Sequence, residues 1–303
     1  MYWWWYTHVM NPIFIIKEDG VREEFDPLKL EDSLIKSGAQ PTMADKIIRT
    51  IVEEIHAGVC DPTAEEGGTC SVHAIYRKAF EMLKQMSAAA AARYSLRRSI
   101  MEFGPTGFPF EEYVAEIYRA RGYKALVGQM VLGGCVPHEV DVIAWKENEL
   151  IMLEVKYHND HQNKTDLKVA LYVKARYDDI KDTVFEYEGM TPRKIDNWIL
   201  LTNTKFTETA IRYAECKGLN MIGWTYPEKE NLLSMIEETK LHPITCLTTL
   251  SNTEKSQLLE KEIVLCKTLY EKTEILKELG LSKEKIFAVL NEVSEIINLR
   301  PRE

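Results

Sequence analysis

Neither a CxxC pair nor a cluster of cysteine with histidine occurs in the 303 residues. The six cysteines, Cys60, Cys70, Cys135, Cys216, Cys246 and Cys266, therefore offer no structural zinc site and no disulfide framework. A reducing cytoplasm is the compartment such usage predicts. No basic tail exists either: the net charge is −9 and is spread evenly along the chain. That argues against tight nonspecific binding to nucleic acid, while leaving room for a local basic groove or a bound metal to hold phosphate. No apolar run is long enough to cross a bilayer, so no membrane partner is expected. The opening MYWWWYTHV has no basic flank and no apolar run behind it. Residues 1–12 are read either as an arm that packs through its aromatics or as an extension ahead of a start at Met10.

What is present is the composition of an ordinary globular protein, 45% hydrophobic and 28% charged, in a chain too long for one comfortable core. Residues 13–26, IFIIKEDGVREEFD, combine an apolar run, an Asp19-Gly20 turn and an alternating return, which predicts a β-hairpin. Helical stretches follow: PLKLEDSLIKSG, then a segment with Ile47, Ile48, Ile51, Val52 and Ile55 on one stripe, then SVHAIYRKAFEMLKQM with Ser71 as N-cap. The alanine-rich SAAAAARYSLRRSIMEF is expected to continue as helix, because alanine is the best helix former. GPTGFP breaks the pattern and marks a domain boundary. Beyond it come a short amphipathic helix, FEEYVAEIYRARGY, the strands EVDVIAW and ELIMLEVKY, a helix from Thr165, the strand WILLTN, a helix ending at Gly218 and the strand LNMIGWTY. This order predicts a mixed sheet with flanking helices. Residues 228–303 read as helical throughout.

Within ELIMLEVKY two charges, Glu154 and Lys156, stand two apart in a run built for burial, and a buried charge has to be paired or metal-bound. If Glu147 and Asn148 form the tip of a hairpin, Asp141 lies across from Glu154, and Lys156 shares their face. Opposed residues have Cβ atoms about 4.5–5.5 Å apart, where like charges repel. Something cationic should sit there: Lys156 itself in a surface network, or a hard divalent ion with oxygen ligands.

The string HEVDVIAWKENELIMLEVKYH resembles the PD-(D/E)xK nuclease motif, and residues 104–227 around it resemble the Mrr-like restriction endonucleases. The resemblance implies a Mg²⁺-dependent hydrolase of DNA. In it Asp141 and Glu154 ligate the metal, Lys156 orients or activates the attacking water, and Glu111 is the helix carboxylate near the metal. Pro137 stands four residues before Asp141, so the literal PD pair is absent. His138 and His158 flank the strands and suit structural hydrogen bonds or phosphate contact. Lys164, Lys168, Lys174 and Arg176 suit phosphate positioning or a solvated helix face.

Residues 13–103 resemble the ATP-cone, a nucleotide-binding regulatory module, through Ile15, Lys17, Asp19, Gly20, Glu23, Asp26 and Lys29 and the later AAARYSLRR. That implies ATP or dATP as a regulatory ligand, with Lys17 and Lys29 on phosphates and Gly20 allowing close backbone approach. Glu18 stands where a second basic residue is usual. The C-terminal stretch resembles a helix-hairpin-helix pair in which Glu262 replaces the expected glycine, so packing or homo-oligomerisation is expected of it rather than DNA contact. The fold expected is α/β: a mostly helical cone with a β-hairpin, a central mixed-sheet restriction-endonuclease-like domain, and a helical C-terminal domain over 228–303. Two functions compete, a nucleotide-regulated DNA endonuclease and a non-catalytic, nucleotide-sensing DNA-binding regulator on a nuclease-like platform. The metal separates them.

Overall fold

A computed structural model describes residues 13–17, 20–59, 70–104, 108–160, 162–261 and 263–297. The N-terminal arm over 1–12, Glu18 and Asp19 of the hairpin turn, and Glu262 lie outside the described residues. The chain divides into two compact units. One takes it as far as Ser95 and adds Leu247–Ser251 and the segment from Ser282; the other holds Leu96–Cys246 and Asn252–Leu281. The helical C-terminal segment is thus shared between the two units. Among the described residues no helix is long and apolar enough to cross a membrane.

In the first unit the expected hairpin is formed by β1 (Phe14–Ile16) and β2 (Arg22–Glu24), antiparallel with Ile15 opposite Glu23. A third strand, β3 (Cys70–Ser71), runs parallel to β1. Cys70 is fully buried and disulfide-bonded, which the spacing of the cysteines did not predict. Asp26 caps α1 (Pro27–Lys36) by accepting the Leu28 N–H at 3.0 Å. The isoleucine stripe of α2 (Pro41–His56) is buried as its period requires, and Ser71 caps α3 (Val72–Met86). The alanine-rich stretch is not one continuous helix. Ser87 adopts an extended backbone, accepts the Ala90 N–H and starts a new helix, α4 (Ala88–Tyr94), followed by α5 (Leu96–Met101). A serine hydroxyl competes for backbone N–H groups, and that outweighs alanine's propensity here.

The second unit is built on a five-stranded mixed sheet. Helix α6 (Phe108–Ala120) leads into β4 (Lys124–Leu132), which pairs antiparallel with β5 (Pro137–Lys146). β5 pairs antiparallel with β6 (Glu149–Lys156). After β7 (Lys164–Thr165) and α7 (Leu167–Ile180), strand β8 (Asn197–Thr202) returns parallel to β6. Then come β9 (Lys205–Phe206), α8 (Glu208–Lys217) and β10 (Asn220–Ile222), the last parallel to β8. Strand β4 went unread in the sequence: its exposed edge and central Gly128 blur the alternation.

Alternate residues of β6 enter different cores. Ile151, Leu153 and Val155 pack with α6, whereas Leu150 and Met152 pack with α7 and α8. A strand covered on both faces reads as a continuous apolar run, which is why ELIMLEVKY looked built for burial. The shorter helices α9 (Leu232–Thr239), α10 (Asn252–Glu260), α11 (Cys266–Glu271) and α12 (Glu274–Glu278) complete this unit, and Tyr113 ties α6 to them by donating to the Leu241 carbonyl at 2.6 Å. The last helix, α13 (Lys283–Ile296), belongs with the first unit: Arg93 on α4 donates to the carbonyls of Glu295 and Ile296, at 2.7 and 3.2 Å.

Candidate functional site

Glu147 and Asn148 form the tip of the β5–β6 hairpin, and pairing runs from Lys146 opposite Glu149 to Val142 opposite Leu153. One step further along this register stand Asp141 and Glu154, and there the backbone ladder gives way to a side chain. Asp141 Oδ2 accepts the Val155 N–H at 2.6 Å. On its other side the β4 ladder skips the same level, pairing Val127 with Val142 and Gln129 with Val140 but leaving Gly128 out. Gly128 has φ +62, a conformation glycine adopts at little cost. Val140 packs toward α7 and α8 while Val142 packs toward α6, although residues two apart in a regular strand share a face. Asp141 therefore sits where the alternation slips, and its carboxylate turns across the hairpin end.

Glu154 carries the same facing as Leu150 and Met152, toward α7, and there Arg176 donates to its Oε2. The arginine is 7% exposed, so the ion pair is largely out of water. Burial pushes the Glu154 carboxyl up to about 7; the neighbouring Asp141 charge adds to this, and Arg176 opposes it. Burial also raises Asp141, against the pull of the Val155 N–H, Arg176 and Lys156. Glu111, in the first turn of α6, is likewise raised to about 7, by burial and then by the charges of Asp141 and Glu139. The charge of Asp141 on β5 thus reaches both Glu111 on α6 and Glu154 on β6. Lys156, exposed at the end of β6, lowers both Asp141 and Glu154, so its ammonium is in the same field.

Among the described residues no group of three or more histidine, cysteine, aspartate or glutamate side chains stands ready to enclose a metal ion. The donor chemistry nevertheless fits a hard divalent cation. Carboxyls that a neighbouring carboxylate charge raises, as Asp141 raises Glu111 and Glu154, ionise more readily beside a positive charge, and Mg²⁺ takes one or two carboxylates while keeping several waters.

Of the four basic residues expected on an exposed face beside this site, Arg176 is instead buried on Glu154, because its position on α7 points inward with Val173 and Ile180. Lys174 pairs with Asp178 at 2.6 Å, and Lys164 and Lys168 are exposed. Both histidines have structural partners. His138 Nε2 lies 2.8 Å from Asp179 Oδ2, and the same carboxylate accepts the backbone N–H groups of Cys135 and Val136, clamping the β4–β5 loop to the end of α7. A Cβ at Gly133 would come within 2.3 Å of Asp179 Oδ2, so the loop closes only around glycine. His158 donates its backbone N–H to Asn203 Oδ1 and places Nε2 3.0 Å from Thr165 Oγ1, while Thr202 Oγ1 donates to the Lys156 carbonyl. Sequence reasoning passed over Asp179, Asn203 and Thr202, since nothing local marks them; the Gly133-Gly134 pair was the one available hint of a close approach.

In the first unit the residues read as nucleotide contacts are dispersed in role. The Ile15 side chain is core, and Asp26 is occupied as a helix cap. Lys17 pairs with Glu23 at 2.5 Å. Gly20 turns the hairpin at φ +80, and Lys29 is exposed.

Residues 13–102 match the ATP cone domain family, residues 105–227 the restriction endonuclease family, and residues 242–297 the family described as AF1548-like, C-terminal. An uncharacterized protein of Archaeoglobus fulgidus is 36% identical over 185 residues, spanning 61% of this chain and 99% of that protein. Among solved structures, that of the protein of unknown function AF1548 shares 33% identity, with 64% of this chain and 99% of that one covered and a TM-score of 0.48. The MspJI restriction endonuclease in complex with a 27-mer oligonucleotide shares 13% identity, covering 45% of this chain and 30% of that one with a TM-score of 0.28.

Proposed function

From a chain that belongs to the AF1548-like family and joins an ATP cone domain to a restriction endonuclease domain, we propose a Mg²⁺-dependent DNA endonuclease that responds to ATP or dATP. The observation that supports this reading is the placing of Asp141, whose charge reaches both Glu111 and Glu154, with the Lys156 ammonium acting on Asp141 and Glu154.

Asp141 and Glu154 would hold the ion. Mg²⁺ bound there supplies Lewis acidity toward a phosphate and lowers the pKa of a coordinated water. The protein's own groups do the positioning. The Val155 N–H keeps one Asp141 oxygen in place, and Arg176 keeps one Glu154 oxygen in place, so each carboxylate is oriented before substrate arrives. Lys156 adds positive charge where a five-coordinate phosphate gains negative charge. Glu111, on α6 in the opposite layer and within the field of Asp141, would be available to orient water. Regulation by the cone requires that nucleotide favour one of two arrangements over the other.

One observation favours the second reading, a nucleotide-sensing DNA-binding regulator without catalysis: Arg176 already neutralises Glu154, as a cation would. Incubating the purified chain with duplex, single-stranded and branched DNA, with and without Mg²⁺ and with and without ATP or dATP, separates the two. Hydrolysis that requires Mg²⁺ supports the endonuclease. DNA binding with no cleavage under every combination, and no Mg²⁺ heat in calorimetry, supports the regulator.

A further inference from the structure

Strands β7 and β9 form a two-residue parallel ladder in which Lys164 stands directly opposite Lys205 and Thr165 opposite Phe206. Opposed residues on neighbouring strands share a face, and the strands lie about 4.8 Å apart. Thr165 and Phe206 are buried, at 1% and 6% exposure, so the two lysines share the outward face. Two like charges in direct register destabilise a ladder. Neither lysine makes an ion pair among the described residues, and the nearby Asp166 is engaged in capping α7 through the N–H groups of Lys168 and Val169.

The ladder is joined to the candidate catalytic strand by hydrogen bonds. Thr165 Oγ1 donates to Thr202 Oγ1 at 3.2 Å, and Thr202 Oγ1 donates to the carbonyl of Lys156 at 2.8 Å. His158, two residues beyond Lys156, reaches the same Thr165 hydroxyl. A buried polar network thus fixes the ladder that carries both lysines at a defined offset from Lys156.

We propose that Lys164 and Lys205 together clamp one backbone phosphate of DNA beside the Asp141 and Glu154 site, fixing the register of the strand to be cut. An anion shared by the pair removes the repulsion that the register imposes, and a phosphate diester is the anion that substrate brings to this edge. The clamp rests on the nuclease reading above and supplies the substrate contact that reading lacks.

The test is fluorescence anisotropy of the full chain with labelled duplex and single-stranded oligonucleotides, in chelator and across a salt series. Replacing both lysines, K164A with K205A, is expected to shrink the slope of log K against log salt by about 1, the release accompanying one phosphate contact. Arginine at both positions is expected to preserve the slope, and Lys277→Ala, on the exposed side of α12, to leave it unchanged. An unaltered slope in the double variant, an equal fall in Lys277→Ala, or no binding of either DNA by the unmodified chain overturns the clamp. Cleavage is scored separately. Mg²⁺-dependent cutting with a double variant that binds normally refutes the clamp and keeps the nuclease, and lysine-dependent binding without cutting does the reverse.

Discussion

Replacing Arg176 by methionine perturbs the site where its charges are most closely balanced. The arginine is 7% exposed and pairs with Glu154, whose own pKa stands at about 7. Methionine keeps an unbranched apolar stem against the neighbouring side chains and deletes only the charge. At about pH 8.5 the pair is ionised, and removing one partner of a buried pair costs about 3–5 kcal/mol when the other stays charged. Glu154 can instead take up a proton, since its pKa climbs further once Arg176 is gone, and this holds the loss near the lower bound, about 3 kcal/mol. At about pH 5.5 Glu154 is already protonated in the unmodified protein, so the arginine has no carboxylate charge to neutralise and its removal costs about 1 kcal/mol or less. Glu154 is an acid whose folded pKa lies above its unfolded value. Its own contribution to stability is therefore present at low pH and lost as pH rises from the ordinary carboxylate range through 7. In the variant that loss extends to higher pH, and the gap between the two proteins opens on the alkaline side. Urea unfolding followed by circular dichroism in chelator, at both pH values, measures it. A loss equal at both, or larger in acid, refutes the account of Glu154 and Arg176.

Asp141→Asn and Lys156→Ala are each expected to reduce Mg²⁺-dependent cleavage by about a hundredfold or more, with melting curves close to the unmodified protein, as read by a nicking assay beside a thermal scan. Mg²⁺ binding is expected to release protons below pH 7 and to tighten as pH rises through 7, because Glu154 must ionise to receive it; calorimetry in two buffers of different ionisation heat detects this, and proton-independent binding contradicts it. Asp179, held down to about 2 by His138 and the Cys135 thiol, with the Val136 and Cys135 N–H groups adding to them, contributes stability that is present above the ordinary aspartate range and is lost as pH falls toward 2. Asp179→Asn should flatten the acid limb of the stability profile. In the first unit Lys29→Ala is expected to weaken ATP binding in titration calorimetry without changing the melting temperature, whereas Asp26→Ala, which removes a helix cap, is expected to cost about 1 kcal/mol of stability and to leave affinity nearly intact.

Features encoded by neighbouring residues could be read directly. The 13–26 hairpin, the α2 stripe, the Ser71 cap and the β5–β6 register as far as Val142 opposite Leu153 all follow from turn chemistry, helical period, side-chain capping and the two-residue repeat of a strand, which operate over a few residues. Four things depended on packing between distant segments. Arg176 turns into the core because the layer of α7 faces β6, and Glu111 enters the field of Asp141 because α6 covers the opposite layer. Asp179 meets the β4–β5 loop across forty-odd residues, and α13 joins the first unit rather than its sequence neighbours. Side-chain periodicity specifies which face a residue presents, but not which other segment comes to cover it. The candidate ligands were therefore legible in the sequence by itself, whereas their charge state and the arginine that balances it were decided by the tertiary fold, which removes water from all of them together.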